Sequence, residues 1–109
     1  MELNAYRIMW LFVFFDLPTE TKKDRRNAQQ FRKKLLKNGF TMMQFSVYMR
    51  HCPSSEAADT HEKRIKFILP PLGKVSILRI TDKQFGNIMN FWGKTIKPKP
   101  PPPLQLELF

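Results

Sequence analysis

The chain has 109 residues, with 19 Lys plus Arg against 9 Asp plus Glu, and a formal net charge of +10. Its 42% hydrophobic and 13% aromatic content is enough for one core of ordinary small size, which excludes a wholly disordered basic tail and leaves little room beyond one domain. So large an excess of cations favours anionic partners, nucleic acid before an anionic membrane surface.

The membrane reading weakens along the chain. The longest apolar run, Ile8 to Phe15, falls far short of the roughly 20 residues that span a bilayer. No small-residue cleavage site follows it, so it does not read as a secretory signal. A cytoplasmic protein without a membrane partner is expected. The single cysteine, Cys52, agrees with that compartment and excludes an intrachain disulfide.

Arg7 to Phe15 is rich in aromatic and branched residues and is closed by the turn sequence Asp16-Leu17-Pro18, which predicts a first strand. Trp10, Phe12 and Phe14 fall on one face and Leu11, Val13 and Phe15 on the other, so both faces need cover. From Thr19 to Asn38 the pattern turns helical, with a cap at Thr19 or Thr21 and Gly39 just past the end. Ala28, Phe31 and Leu35 form its apolar stripe. Eight Lys and Arg side chains against Glu20 and Asp24 leave +6 on this segment, more than half of the total.

Phe40 to Arg50 is again strand-like and long enough for two short strands bent near Gln44 to Ser46. Pro53, Ser54 and Ser55 open a second helix carrying Ala58, His61, Ile65 and Ile68, which Pro70-Pro71 and Gly73 stop. Lys74 to Thr81 is a further strand, and Asp82 to Trp92 is expected to add a helical turn carrying Phe85, Ile88 and Trp92. In the tail, the prolines from Pro98 to Pro103 form a stiff spacer before the alternating segment Leu104 to Phe109. The chain therefore divides into a folded unit, residues 1–92, and a Pro-rich linker with a docking strand, residues 93–109.

This element order predicts an α+β, ferredoxin-like β-α-β-β-α-β fold with an extra C-terminal strand. In that fold both helices lie on one face of an antiparallel sheet. The other face, apolar here, is then expected to be buried against a second copy, giving a homodimer.

Phe14-Phe15-Asp16-Leu17-Pro18 ending a first strand, a helix opening with Lys22-Lys23-Asp24-Arg25-Arg26, and Gly39-Phe40-Thr41-Met42-Met43-Gln44-Phe45-Ser46-Val47-Tyr48 together resemble the Cas-two family of CRISPR-associated proteins. The likeness covers most of residues 6 to 85 and continues in Gly73-Lys74-Val75 and Thr81-Asp82-Lys83-Gln84-Phe85. It resembles most the members found beside the large RNA-guided nuclease. The resemblance implies a ferredoxin-like homodimer that joins the integrase subunit during spacer acquisition and bridges the incoming DNA duplex. It also implies endonuclease activity on RNA or DNA, dependent on Mg²⁺ or another divalent cation. The last strand would pair with the partner's sheet or help dock the integrase. The family often has Tyr where this chain has Phe15, so a hydroxyl is absent there. Phe45 and Ser46 match a family motif near the active site, and Phe45 is itself expected in the core.

Asp16 is the candidate catalytic and metal-binding residue. One carboxylate is a poor Mg²⁺ site, but in a dimer a two-fold axis would bring both copies to one ion, with waters and a phosphate oxygen completing the shell. The plain structural alternative is that Asp16 caps the turn before Pro18. The candidate nucleic-acid-binding residues are Lys22, Lys23, Arg25, Arg26, Lys33 and Lys37 on the first helix, with Arg50 and Arg79 apart from it. Such cations neutralise phosphates without reading bases. His51, Cys52 and His61 invite a zinc reading, but a fourth ligand is missing and the spacing matches no finger. The alternative function is a basic ferredoxin-like RNA-binding module without metal or catalysis, which cleavage titrated with Mg²⁺ separates from an enzyme.

Overall fold

A computed structural model of the protein describes residues 8–94. In chain order the elements are β1 (Met9–Asp16), α1 (Lys22–Lys37), β2 (Thr41–Gln44), β3 (Val47–Cys52), α2 (Ser55–Phe67), β4 (Lys74–Thr81) and α3 (Asp82–Gly86). The strands form one sheet in the order β2-β3-β1-β4, with every neighbouring pair antiparallel. This is the predicted ferredoxin-like arrangement. The segment expected to form a docking strand, Leu104 to Phe109, lies outside the described residues.

Local chemistry explains the boundaries. Of the two candidate caps, Thr21 starts α1: its hydroxyl accepts from the Asp24 N–H at 3.0 Å, and the Asp24 carboxylate accepts from the Thr21 N–H at 3.3 Å. Beyond the end of α1, Gly39 takes φ +82°, a left-handed conformation that a side chain disfavours. Ser54 caps α2 by accepting from the Ala57 N–H at 3.1 Å. The register of β2 against β3 shifts between Met42 and Gln44, and the chain turns at Phe45 and Ser46, within the predicted bend.

The two faces of β1 build two cores. Leu11, Val13 and Phe15 pack with Phe31 and Leu35 of α1 and with Ala58 and Ile65 of α2. Trp10 and Phe12 form a second cluster with Met49, joined by Ile80, Phe85 and Ile88. The Trp10 ring lies flat on Phe85, with centroids 3.7 Å apart, and its indole N–H donates to the Asp82 carboxylate at 2.7 Å. Thus α3 covers the Trp10 end of the second face from within the chain. The expected short helical turn occupies Asp82–Gly86, the first part of the segment. Ile88 packs beyond it, while Trp92 is exposed.

The remainder of that face is open. Phe14 is 38% exposed and Leu78 48%, beside a groove of about 480 Å³ lined by Phe12, Phe14, Val47, Leu78, Ile80 and Ile88, among others.

Candidate nucleic-acid interface

Asp16 is the last residue of β1 and continues the even-numbered side of the strand after Phe12 and Phe14. Its position is held from both sides. Asp16 pairs with Lys74 of β4, and the Phe15 N–H donates to the Ser46 carbonyl at 3.1 Å. The Phe15 ring is buried against Phe31 and Tyr48, with centroids 5.2 and 5.6 Å away. On the α2–β4 loop, Gly73 has φ +101°, and a Cβ there would meet the Asp16 carbonyl oxygen at 2.8 Å. Only glycine allows the loop to lie this close to the strand end.

The carboxylate itself is exposed and, among the described residues, makes no hydrogen bond or ion pair. The turn before α1 is capped by Thr21 and braced by Arg25, whose Nη1 donates to the carbonyls of Thr19 at 2.9 Å and Glu20 at 3.2 Å. Asp16 therefore has no capping duty. Among the described residues no cluster of three or more His, Cys, Asp or Glu could hold a metal. A hard-oxygen donor such as Asp16 suits Mg²⁺, but one chain offers a single carboxylate, so a second copy would have to supply the other.

The α1 cations form an exposed field along the helix that follows this strand end. Lys22, Lys23, Arg26, Lys33 and Lys37 are exposed and, among the described residues, have no ion-pair partner. Arg26 and Lys33 are seven residues apart and share a helix face.

Arg50 and Arg79 are differently placed. Both pair with Leu11, from β3 and β4 respectively, so the three side chains form one row beneath α2. Arg79 is held by Glu62 at 2.6 Å and Asp59 at 2.7 Å. Arg50 donates from Nη1 to the Asn38 carbonyl and from Nε to His61 Nε2, both at 2.9 Å. A Cβ on Gly39 would land on the Arg50 guanidinium. Both arginines thus serve internal partners, which strand alternation from Tyr48 and Ile77 could have signalled.

The same alternation separates the residues of the zinc reading. His51 meets Trp10 edge-on at 5.3 Å on one face, whereas Cys52 is fully buried in the core on the other. Burial pushes the Cys52 thiol above its ordinary pKa, so it is a poor nucleophile.

His61 is buried, and accepting from Arg50 at Nε2 puts its proton on Nδ1, which has no hydrogen-bond partner. Burial first, then the charges of Arg50 and Arg64, hold its pKa below the ordinary 6.5. The unfolded chain therefore takes up this proton more readily than the folded one. His61 contributes stability that is fully present above the ordinary pKa and is lost as pH falls through the lowered folded value. In urea unfolding followed from about pH 7.5 to pH 5, His61→Gln is expected to flatten the acid-side fall seen in the wild type.

Phe45 corrects the expectation of a core residue. It sits on the β2–β3 turn, 68% exposed, with the Arg32 guanidinium carbon 3.8 Å from its ring centroid. The register shift just before the turn breaks the alternation that would have carried it inward. Arg32 lies between the cationic field and the apolar stripe of α1, and its pairing with Phe45 was not foreseen.

The chain as a whole is similar to known proteins. A family model described as "CRISPR associated protein Cas2" matches residues 9–88. A protein of Flavobacterium psychrophilum named "CRISPR-associated endoribonuclease Cas2" is 55% identical over 107 residues, covering 98% of this chain and 93% of its own. Relatives of the same name from Parvibaculum lavamentivorans and Paracidovorax avenae are 52% and 45% identical. They cover 93% and 98% of this chain, and 100% and 99% of their own. No helix among the described residues is long and apolar enough to cross a membrane. With a family match over most of the folded unit and relatives aligned along nearly the whole length, the chain belongs to the CRISPR-associated Cas2 family.

Proposed function

We propose that this protein acts as a homodimer that binds duplex DNA through its α1 cations and works with the CRISPR integrase in acquiring spacers. We propose in addition that it cleaves phosphodiesters with a divalent cation, Mg²⁺ being the natural candidate, held between the two copies of Asp16. The observation that carries this reading is the position of Asp16. It ends the row Phe12, Phe14, Asp16 on the open apolar side of the sheet, exposed and without a structural partner among the described residues. A second copy packed on that side by a two-fold axis covers Phe14 and Leu78 and brings the two carboxylates toward each other. The relatives named as endoribonucleases support cleavage of RNA in particular.

The chain's own residues divide the work. Asp16 supplies a hard-oxygen ligand, Gly73 and the Phe15–Ser46 hydrogen bond fix where it stands, and the α1 cations hold phosphates. The bound ion would lower the pKa of a water and stabilise charge on the phosphate. Each dimer would present the α1 field twice, which suits a partner with charge spaced along its length. Arg50 and Arg79 are left out of that track because the fold already uses their donors.

Binding of a short duplex DNA tests the interface. Arg26→Glu with Lys33→Glu removes two exposed cations that bear no internal load. It is expected to weaken binding at moderate salt by at least about tenfold, and to lower the slope of log K against log salt by about 0.9 for each phosphate no longer neutralised. Native affinity and slope in the double variant would overturn the α1 assignment. Co-purification with the integrase checks the proposed partner.

A further inference from the structure

Phe45 is an expensive side chain to leave in water, and its surroundings explain what it is suited to meet. Its ring is 68% exposed, and the Arg32 guanidinium lies over it at 3.8 Å. Arg32 Nε donates to the Phe45 carbonyl at 3.4 Å, so both ends of the contact are tied. The same guanidinium lies 5.5 Å from the buried Phe15 ring, which anchors it against the core. Arg32 thus backs one side of the Phe45 ring, and the exposed area is left to the other.

The ring also lies in a particular electrostatic setting. Arg25, Gln29 and Arg32 follow one another at helical spacing beside the exposed cations of α1. The turn that carries Phe45 is fastened to β1 by the hydrogen bond from Phe15 to Ser46, one residue before Asp16. A flat aromatic surface inside a cationic field is the pairing that single strands require: the cations track phosphates and the ring takes a base. A paired base inside a duplex presents no free face to such a ring.

We propose that Phe45, backed by Arg32, is a stacking site for one unpaired base of a single-stranded RNA, carried on the turn that is hydrogen-bonded to β1 at the residue before Asp16. The inference rests on the nucleic-acid reading above and goes beyond it, because phosphate binding alone would not distinguish single strands from duplexes. Phe45 is a binding residue here. It holds the strand, and the chemistry stays with Asp16.

The test measures affinity for a short single-stranded RNA and for a duplex DNA of equal length, using wild type, Phe45→Leu and Phe45→Trp. Phe45→Leu keeps apolar bulk and removes the flat ring, and its exposed position leaves the fold intact, which melting verifies. Phe45→Leu is expected to weaken single-strand binding by about tenfold with little change on the duplex, and Phe45→Trp to retain it. Removing single bases from the RNA should reveal one abasic position whose loss has no further effect in Phe45→Leu.

Equal losses on both ligands, or none, would overturn the stacking site while leaving the nucleic-acid reading standing. Wild-type protein that bound neither ligand would overturn both. If Phe45→Leu instead weakened self-association with RNA affinity unchanged, the ring would be a protein contact and the inference would fail.

Discussion

Asp16→Asn is expected to reduce Mg²⁺-dependent cleavage of single-stranded RNA by more than about 100-fold, since even outer partners of metal ligands cost about 10- to 100-fold when removed. The substitution keeps the shape of the side chain and removes its charge. Asp16 is exposed and has no hydrogen-bonding or ionic duty among the described residues, so the melting temperature should stay essentially unchanged. That contrast gives the experiment its force. A structural residue would lose stability together with activity, whereas a metal-holding one loses activity alone. Cleavage that persisted in Asp16→Asn would remove the catalytic assignment and leave a scaffold that binds nucleic acid. The same titration separates the enzyme from the alternative of a metal-free RNA-binding module.

The second large effect is expected on assembly. Phe14→Glu places a charge beside the apolar groove, where a second copy would bury it without a partner. It should weaken self-association by more than about 30-fold, the effect of removing a single strong interface residue. Light scattering behind a sizing column would report the shift from dimer to monomer. Because Phe14 is already 38% exposed in the single chain, the monomer should still unfold cooperatively. RNA cleavage should fall with the dimer, since each half carries one Asp16. A Phe14→Glu variant that stayed dimeric would move the interface away from this face.

How far the sequence revealed these features depended on whether a feature is local or requires register. The apolar character of both faces of β1 could be read directly, because alternation in a strand sorts Trp10 from Leu11 without reference to any neighbour. Thr21 and Gly39 mark the limits of α1 by the chemistry of a cap and a left-handed turn. The cationic field is likewise local, being written on one helix.

The row Arg50, Leu11, Arg79 is different. It exists only once β3 and β4 are paired with β1, and the acids that hold Arg79 lie on another helix. Alternation from Tyr48 and Ile77 turns both arginines toward the helix side, but which donors and acceptors they meet there is set only by the packed fold. Phe45 shows a third case. The bend near Gln44 to Ser46 could be read from the chain, but the shifted residue between Met42 and Gln44 decides which way the following ring faces, and that is a matter of register. For α3, a short helical turn was expected between Asp82 and Trp92, and it forms over Asp82–Gly86. Gly86 favours its end there, and the cover it provides over Trp10 comes from Phe85 and Ile88.

A sheet with two apolar faces uses α1 and α2 to cover one and α3 to cover the Trp10 end of the other. Beside the uncovered part, β1 ends in a carboxylate that the fold positions closely and does not otherwise use. The helix that follows carries more than half of the net charge. In the proposed dimer, a second copy docked on the apolar surface would bring the second carboxylate that such a metal site needs.

Sedimentation equilibrium of the unmodified chain at micromolar concentration is therefore the most direct test. A single species of twice the 13.0 kDa chain mass is predicted. A monomer at that concentration would contradict the proposed dimer, because neither the open face nor the pairing of the two Asp16 carboxylates would then have a partner.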